Sequence, residues 1–313
     1  MLRWILLGLV FLLSGLARAE PSARDFDWFD EARQRSVPVR LYWPDGAKPV
    51  TLVVFSHGIG GSRRGYSYLG EYFAANGVAS LHLQHVGSDR SLWTGNVLSL
   101  LARLQDAAQE REALERVRDF SFALDQILAH EELGRRINRR SIAAAGHSYG
   151  ANTALLAAGA SVQREGRRLE LRDPRVKAAL LLSAPPFYGE DDLKAILHSI
   201  TLPTLHVTAT EDVIRIPGFY SPASDRVAVF DAVGSPLKAL AVFEGGSHSI
   251  FTSRGGTGGA ELNPKVKAAT KELALAFLQR VFEGRGEALQ RWPETYRPLL
   301  ARWTSPGTAA AVR

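Results

Sequence analysis

Cysteine is absent from all 313 residues. That excludes disulfide staples, a thiolate nucleophile and a lipid-modified N-terminal cysteine, so stability has to come from the core. After the first nineteen residues, no stretch stays apolar for the about 20 residues that a bilayer-spanning helix needs. The phosphate-cradling pattern Gly-x-x-x-x-Gly-Lys-Ser/Thr is missing. The one glycine-rich loop that could open a dinucleotide site fails the Gly-x-Gly-x-x-Gly spacing at Arg63. Charge is not extreme either, with 38 Lys and Arg against 32 Asp and Glu. An excess this small is not a nucleic-acid footprint, and Arg135, Arg136, Arg139 and Arg140 read as a solvated face at a helix end.

What is present is ordinary for a globular enzyme: 46% hydrophobic and 22% charged residues, enough chain to bury one large core. The first nineteen residues stand apart. Arg3 precedes an apolar run from Trp4 to Leu16, and Ala17-Arg18-Ala19 offers small residues for cleavage. This predicts a secretory signal peptide over residues 1–19, with an uncleaved membrane anchor as the alternative. A mature chain beginning near Glu20 would carry +4 rather than +6 once Arg3 and Arg18 are gone. Residues 20–285 then form one catalytic-size domain. Residues 286–313 form an extension packed on it, frayed at "TSPGTAAAVR".

The apolar pattern predicts strands alternating with helices. Arg24 to Pro44 alternates in two runs around a polar turn, as an antiparallel edge hairpin does. "VTLVVFSH" (50–57) and "VASLHLQH" (78–85) are nearly continuous apolar runs, the mark of parallel strands buried on both faces. A helix around Tyr68 to Asn76 separates them. An amphipathic helix carries Leu114, Val117, Leu124 and Leu128 at helical spacing. Further strands are expected at Ser141 to Ala145, Val176 to Ser183, Thr204 to Thr208 and Leu237 to Phe243. Helices follow from Ala151 and from Lys265 to Phe282. The expected class is α/β: a mostly parallel, doubly wound sheet with an N-terminal antiparallel hairpin and no large cap domain.

Such sheets bind ligands beyond the carboxyl ends of their strands, so the residues there carry the functional reading. "AGHSYG" places Ser148 between Gly146 and Gly150, where a strand turning sharply into a helix exposes the central hydroxyl. A hydroxyl needs a base, and the base needs an orienting carboxylate. Asp212 in "TATEDV" and His248 in "EGGSHSIF" follow the next-to-last and last of the expected strands, in the chain order Ser…Asp…His that this arrangement uses. Glu211 and Asp225 are the rival acids. "SHGIGG" lets the backbone approach a substrate, so the amides of Ile59 and Tyr149 are the candidate oxyanion hole. Trp93, Phe187 and Tyr188 are candidate pocket walls or core covers. His147, His82 and His206 read as packed histidines. His82 and His85 point to opposite faces of a strand and do not form a metal pair. Neither cofactor nor metal is called for.

The segments "FSHGIGGSRRGYSYLGEYFAANGVASLHLQHVGSD", "AGHSYGANTALLAAG" and "GGSHSIF" together resemble serine α/β-hydrolases of the dienelactone-hydrolase-like and platelet-activating-factor-acetylhydrolase-like group, over about Arg24 to Phe282. The resemblance implies the α/β-hydrolase fold and a carboxylic-ester hydrolase. It supports Ser148, His248 and the backbone of Ile59 and Tyr149 in their roles. Two features depart from the group. Dienelactone hydrolases use a cysteine nucleophile, which this chain lacks. In the acetylhydrolases the acid follows the strand after the elbow, where this chain reads "LLLSAPPFYG"; Asp212 instead matches cutinase-like and polyester-hydrolase-like relatives.

The expectation is a secreted or periplasmic esterase for small-molecule or lipid-like esters of short to medium acyl length. An acyltransferase, a lipase or a polyester hydrolase would use the same triad, and a catalytically silent binding protein is the rival from another class.

Overall fold

The computed structural model of the chain describes residues 22–46, 48–96, 99–164, 166–169, 171–187, 189–216, 219–252 and 259–305. The expected signal segment, Tyr188 and residues 306–313 of the expected frayed end lie outside the described residues; Thr304, at the start of that expected frayed end (304–313), is instead paired with Leu240 in a strand.

Nine strands form one sheet: β1 (Ser22–Asp30), β2 (Arg35–Trp43), β3 (Val50–Ser56), β4 (Val78–Leu83), β5 (Ile137–His147), β6 (Ala178–Leu182), β7 (Thr204–Glu211), β8 (Lys238–Ser247) and β9 (Leu300–Thr304). Their spatial order is β1-β2-β4-β3-β5-β6-β7-β8-β9. From β4 across to β8 every pairing is parallel, while β1 with β2, β2 with β4 and β8 with β9 are antiparallel. The parallel centre follows from composition. Strand β3, "VTLVVFS", is apolar on both sides, a pattern stable only when helices cover both faces.

The pleat divides each central strand between two cores. Leu52 and Val54 of β3, Ile142 and Ala144 of β5, and Ala179 and Leu181 of β6 face one core. Val53 and Phe55, Ala143 and Ala145, and Leu180 and Leu182 face the other. Helices α1 (Ser67–Ala75), α2 (Leu100–Ala107), α3 (Glu110–Ala129) and α4 (Tyr149–Ala158) come first in the chain. They are followed by α5 (Leu193–Leu197), α6 (Ser224–Ala232), α7 (Gly259–Glu283) and α8 (Glu287–Thr295). The first core is closed by Phe120, Leu124 and Ile127 of α3, Leu155 of α4 and Val229 of α6. The second is closed by Phe73 of α1, Leu273 and Phe277 of α7 and Trp292 of α8. Each such side chain contributes about 1.5–3 kcal/mol when fully buried.

Three features differ from the sequence reading. Strand β5 begins at Ile137, so Arg139 and Arg140 lie on its exposed N-terminal end rather than at a helix end. Burial of its core half pulls the polar half into the sheet. Helix α4 begins at Tyr149, directly after the serine, because the elbow turns in a single residue. Residues 300–304 add β9 against β8, and Trp292 is buried with its indole N–H on the Ala269 carbonyl at 2.9 Å. The C-terminal extension is therefore part of the sheet and of one core. "LARWT" is too short and too polar to announce itself as a strand, and pairing with the free edge of β8 decides its conformation.

Among the described residues, no helix is long and apolar enough to cross a membrane.

Candidate active site

The site is built at the carboxyl ends of β3, β5, β7 and β8. Ser148 follows β5 with φ 55° and ψ −125°, a conformation that a residue with a β-carbon adopts only under strain of about 1–3 kcal/mol. Neighbouring glycines permit it through close approach. A β-carbon on Gly146 would lie 2.1 Å from the Gly150 carbonyl oxygen, and one on Gly150 would lie 1.9 Å from the Ser56 carbonyl oxygen. The turn is tied down by the Ser148 amide donating to the Leu182 carbonyl at 2.9 Å.

Ser148 Oγ lies 2.8 Å from His248 Nε2, and His248 Nδ1 lies 2.6 Å from Asp212 Oδ1. Asp212 is ionised and can only accept, so Nδ1 carries the proton and Nε2 is free to accept from the serine. Burial falls from the acid to the base: Asp212 is 0% exposed, Ser148 8%, and the His248 side chain 18%. Burial pushes the Asp212 carboxyl pKa up. The hydrogen bond and charge of His248, together with the Arg226 guanidinium, outweigh that and hold it well below the usual carboxylate range. Thr208 donates its hydroxyl to Asp212 Oδ2 at 2.7 Å, and Arg226 Nε lies 3.4 Å from Oδ1. Of the rival acids, Glu211 is exposed and interposes nothing at His248, while Asp225 accepts from Ser221 at 2.6 Å.

His147 does more than pack beside the elbow. Its Nε2 donates to the His248 carbonyl at 2.9 Å, so its Nδ1 accepts from the Tyr66 hydroxyl at 2.8 Å. Burial, reinforced by the nearby His248, pushes its pKa down to about 3, so it is a neutral brace for the loop that carries the base.

The loop after β3 comes within contact of the serine: a β-carbon on Gly58 would lie 3.2 Å from Ser148 Cβ. Gly60 donates to the Ser88 carbonyl at 2.8 Å and Gly61 to the Gly58 carbonyl at 3.0 Å. Among the described residues, the amides of Ile59 and Tyr149 donate to no backbone carbonyl, which leaves the two expected oxyanion donors available. The Trp93 indole donates to the Gly60 carbonyl at 2.8 Å, so this residue fixes the loop as well as lining the cavity, and it is 45% exposed.

Behind the loop lies Arg116, 0% exposed, which the sequence reading missed. Its guanidinium donates to the His57 carbonyl, to Ser88 Oγ at 2.8 Å and to Thr153 Oγ1 at 3.0 Å, and it lies 4.5 Å from the Tyr149 ring centroid. It thus joins the two chain segments that carry the candidate oxyanion donors. Burial lowers its pKa to about 10, so it stays charged at neutral pH. Further back, Ser56 Oγ lies 3.0 Å from His85 Nε2 and His85 Nδ1 lies 3.1 Å from Asp119 Oδ2, all three residues fully buried.

A cavity of about 1240 Å³ opens over Ser148. Ile59, Trp93, Tyr149, Phe187 and His248 line it, so the expected walls and donors converge there; Tyr188 lies outside the described residues. Among the described residues, no group of three or more His, Asp or Glu side chains could hold a metal ion. No protein-family model matches the chain, and no curated protein matches it.

Proposed function

We propose that this chain is a serine hydrolase of the α/β-hydrolase type that cleaves carboxylic esters through an acyl-enzyme on Ser148. The observation that carries the reading is the continuous hydrogen-bond chain from Ser148 through His248 to Asp212, mounted on a strained elbow. The strand order, with its antiparallel start and parallel centre, supports the same reading.

His248 Nε2 takes the serine proton as Oγ attacks the ester carbonyl carbon. Charge that develops on the carbonyl oxygen is met by the amides of Ile59 and Tyr149; each such donor contributes a rate factor of about 10²–10³. His248 then passes its proton to the departing alcohol oxygen, leaving the acyl group esterified to Ser148. Water, deprotonated by the same histidine, attacks that ester and releases the acid and the free serine. Asp212 stays ionised throughout, holding the tautomer and stabilising the imidazolium. Export, with cleavage of the leader near Ala19, belongs to this reading.

The test is covalent labelling by a fluorophosphonate together with hydrolysis of nitrophenyl esters. The wild type should be labelled at Ser148 and hydrolyse the esters. Ser148→Ala should take no label and lose activity by at least about 10⁴-fold while keeping its circular dichroism spectrum. A folded Ser148→Ala protein that still hydrolyses esters would overturn the proposal.

A further inference from the structure

The cavity over Ser148, about 1240 Å³, is larger than the about 300–1,000 Å³ usual for small-molecule sites. Tyr149, Asn152 and Leu156 of α4 all line it. These positions are three, then four, residues apart, so they form one stripe along a single face of the helix. The stripe starts at the residue after the nucleophile and covers about 10 Å of helix axis. Beyond the end of α4, Val162, Leu169 and Leu171 extend the lining, and the Leu169 amide donating to the Val162 carbonyl at 2.9 Å fixes that end. Leu114 of α3 lines the cavity as well. Gln105 and Glu110 are exposed and form the rim of this region, while Asn152 and Thr153 are its buried polar residues.

The direction of the stripe distinguishes the two halves of an ester. The departing alcohol must reach His248 Nε2, so its side of the cavity is the one lined by His248, Ser249 and Thr252. The acyl carbonyl sits against the amide of Tyr149, at the very start of the α4 stripe. An acyl chain leaving the carbonyl away from His248 therefore has α4 to follow.

Building on the ester-hydrolase reading, we infer that the α4 stripe is an acyl channel, and that the preferred substrates carry a linear apolar acyl chain. A stripe of about 10 Å accommodates an extended chain of roughly eight carbons, and the Val162–Leu171 end extends this by a few more. Short acyl groups such as acetate would leave the channel empty.

The experiment is the kcat/KM of the full chain on nitrophenyl esters from acetate to hexadecanoate, below their aggregation concentrations. Each methylene buried should raise kcat/KM by about fourfold at most, until the channel is full. The expected profile rises through octanoate to an optimum near decanoate, with decanoate at least about 100-fold above acetate. Leu171→Trp should block the far end and move the optimum to shorter chains, lowering the decanoate-to-butyrate ratio at least tenfold. Because Leu171 is only half-buried the variant should fold, and Leu114→Trp on another wall gives an independent block. A wild-type profile that is flat or falls from acetate onward overturns the channel, as does an unchanged ratio in both folded variants. Hydrolysis of none of the esters, with no fluorophosphonate label at Ser148, would instead overturn the ester-hydrolase reading beneath it.

Discussion

At the scale of single residues the site turns on which oxygen of which acid meets His248. Asp212 does so from complete burial, 2.6 Å from Nδ1, with Thr208 and Arg226 on its remaining lone pairs. Asp212→Asn keeps the shape but presents an amide that can donate to Nδ1, which favours the wrong imidazole tautomer. We expect kcat on a nitrophenyl ester to fall by about 10⁴-fold, with Glu211→Gln staying within about tenfold of wild type. Equal losses in the two variants would show that the acid is not Asp212. Ser148, Asp212 and His248 were legible in the sequence because each follows an apolar run, and turn glycines flank the serine and precede the histidine. Thr208, Arg226 and Tyr66 were not. Nothing in a lone threonine, arginine or tyrosine announces a second layer, since their role depends on which loops the fold brings together.

At the scale of elements, the elbow works because three pieces of backbone share one small space. Gly150→Ala would drive a β-carbon to 1.9 Å from the Ser56 carbonyl, and that oxygen belongs to β3, a strand held on both sides. Strand β3 cannot yield without breaking sheet hydrogen bonds, nor can α4 without withdrawing its buried side chains from the core. We expect a loss of more than about 3 kcal/mol in unfolding free energy, measured in urea, or no soluble protein. A variant within about 1 kcal/mol of wild type would show that the elbow can relax. Elements were read well from the sequence where burial is two-sided, as in β3 and β4. They were read poorly where a neighbour decides, as in β9. Helix α3 shows a further limit. Glu112, Arg116 and Asp119 occupy its buried face alongside Phe120 and Leu124, so an apolar count assigns the right helix and gives no hint of the buried polar cluster.

At the scale of the whole molecule, five of the eight histidines are buried, an unusual load of neutral imidazole. Burial lowers His82 to about 4 and His85, His147 and His206 to about 3. In the unfolded chain these side chains take up protons near pH 6.5. Between about pH 6.5 and those folded values the unfolded state binds more protons, so stability rises with pH and is lost on acidification. Four such groups give a slope of about 5 kcal/mol per pH unit near pH 5. Total stability is typically about 5–15 kcal/mol, so cooperative unfolding should occur between about pH 6 and pH 4. Tryptophan fluorescence and far-UV circular dichroism followed down the pH scale would show it. A native spectrum at about pH 3.5 would refute it.

The chain formed by Ser56, His85 and Asp119 repeats the partner order of the catalytic candidates at 3.0 and 3.1 Å, fully buried within the protein. Two serines therefore have the same credentials on paper. Ser56 ends a regular strand and is fully buried, whereas Ser148 is lifted out of the strand into a cavity. The molecule thus contains a sealed counterpart of the candidate site. A search for serine, histidine and aspartate in contact would accept both, and what separates them is access to the cavity.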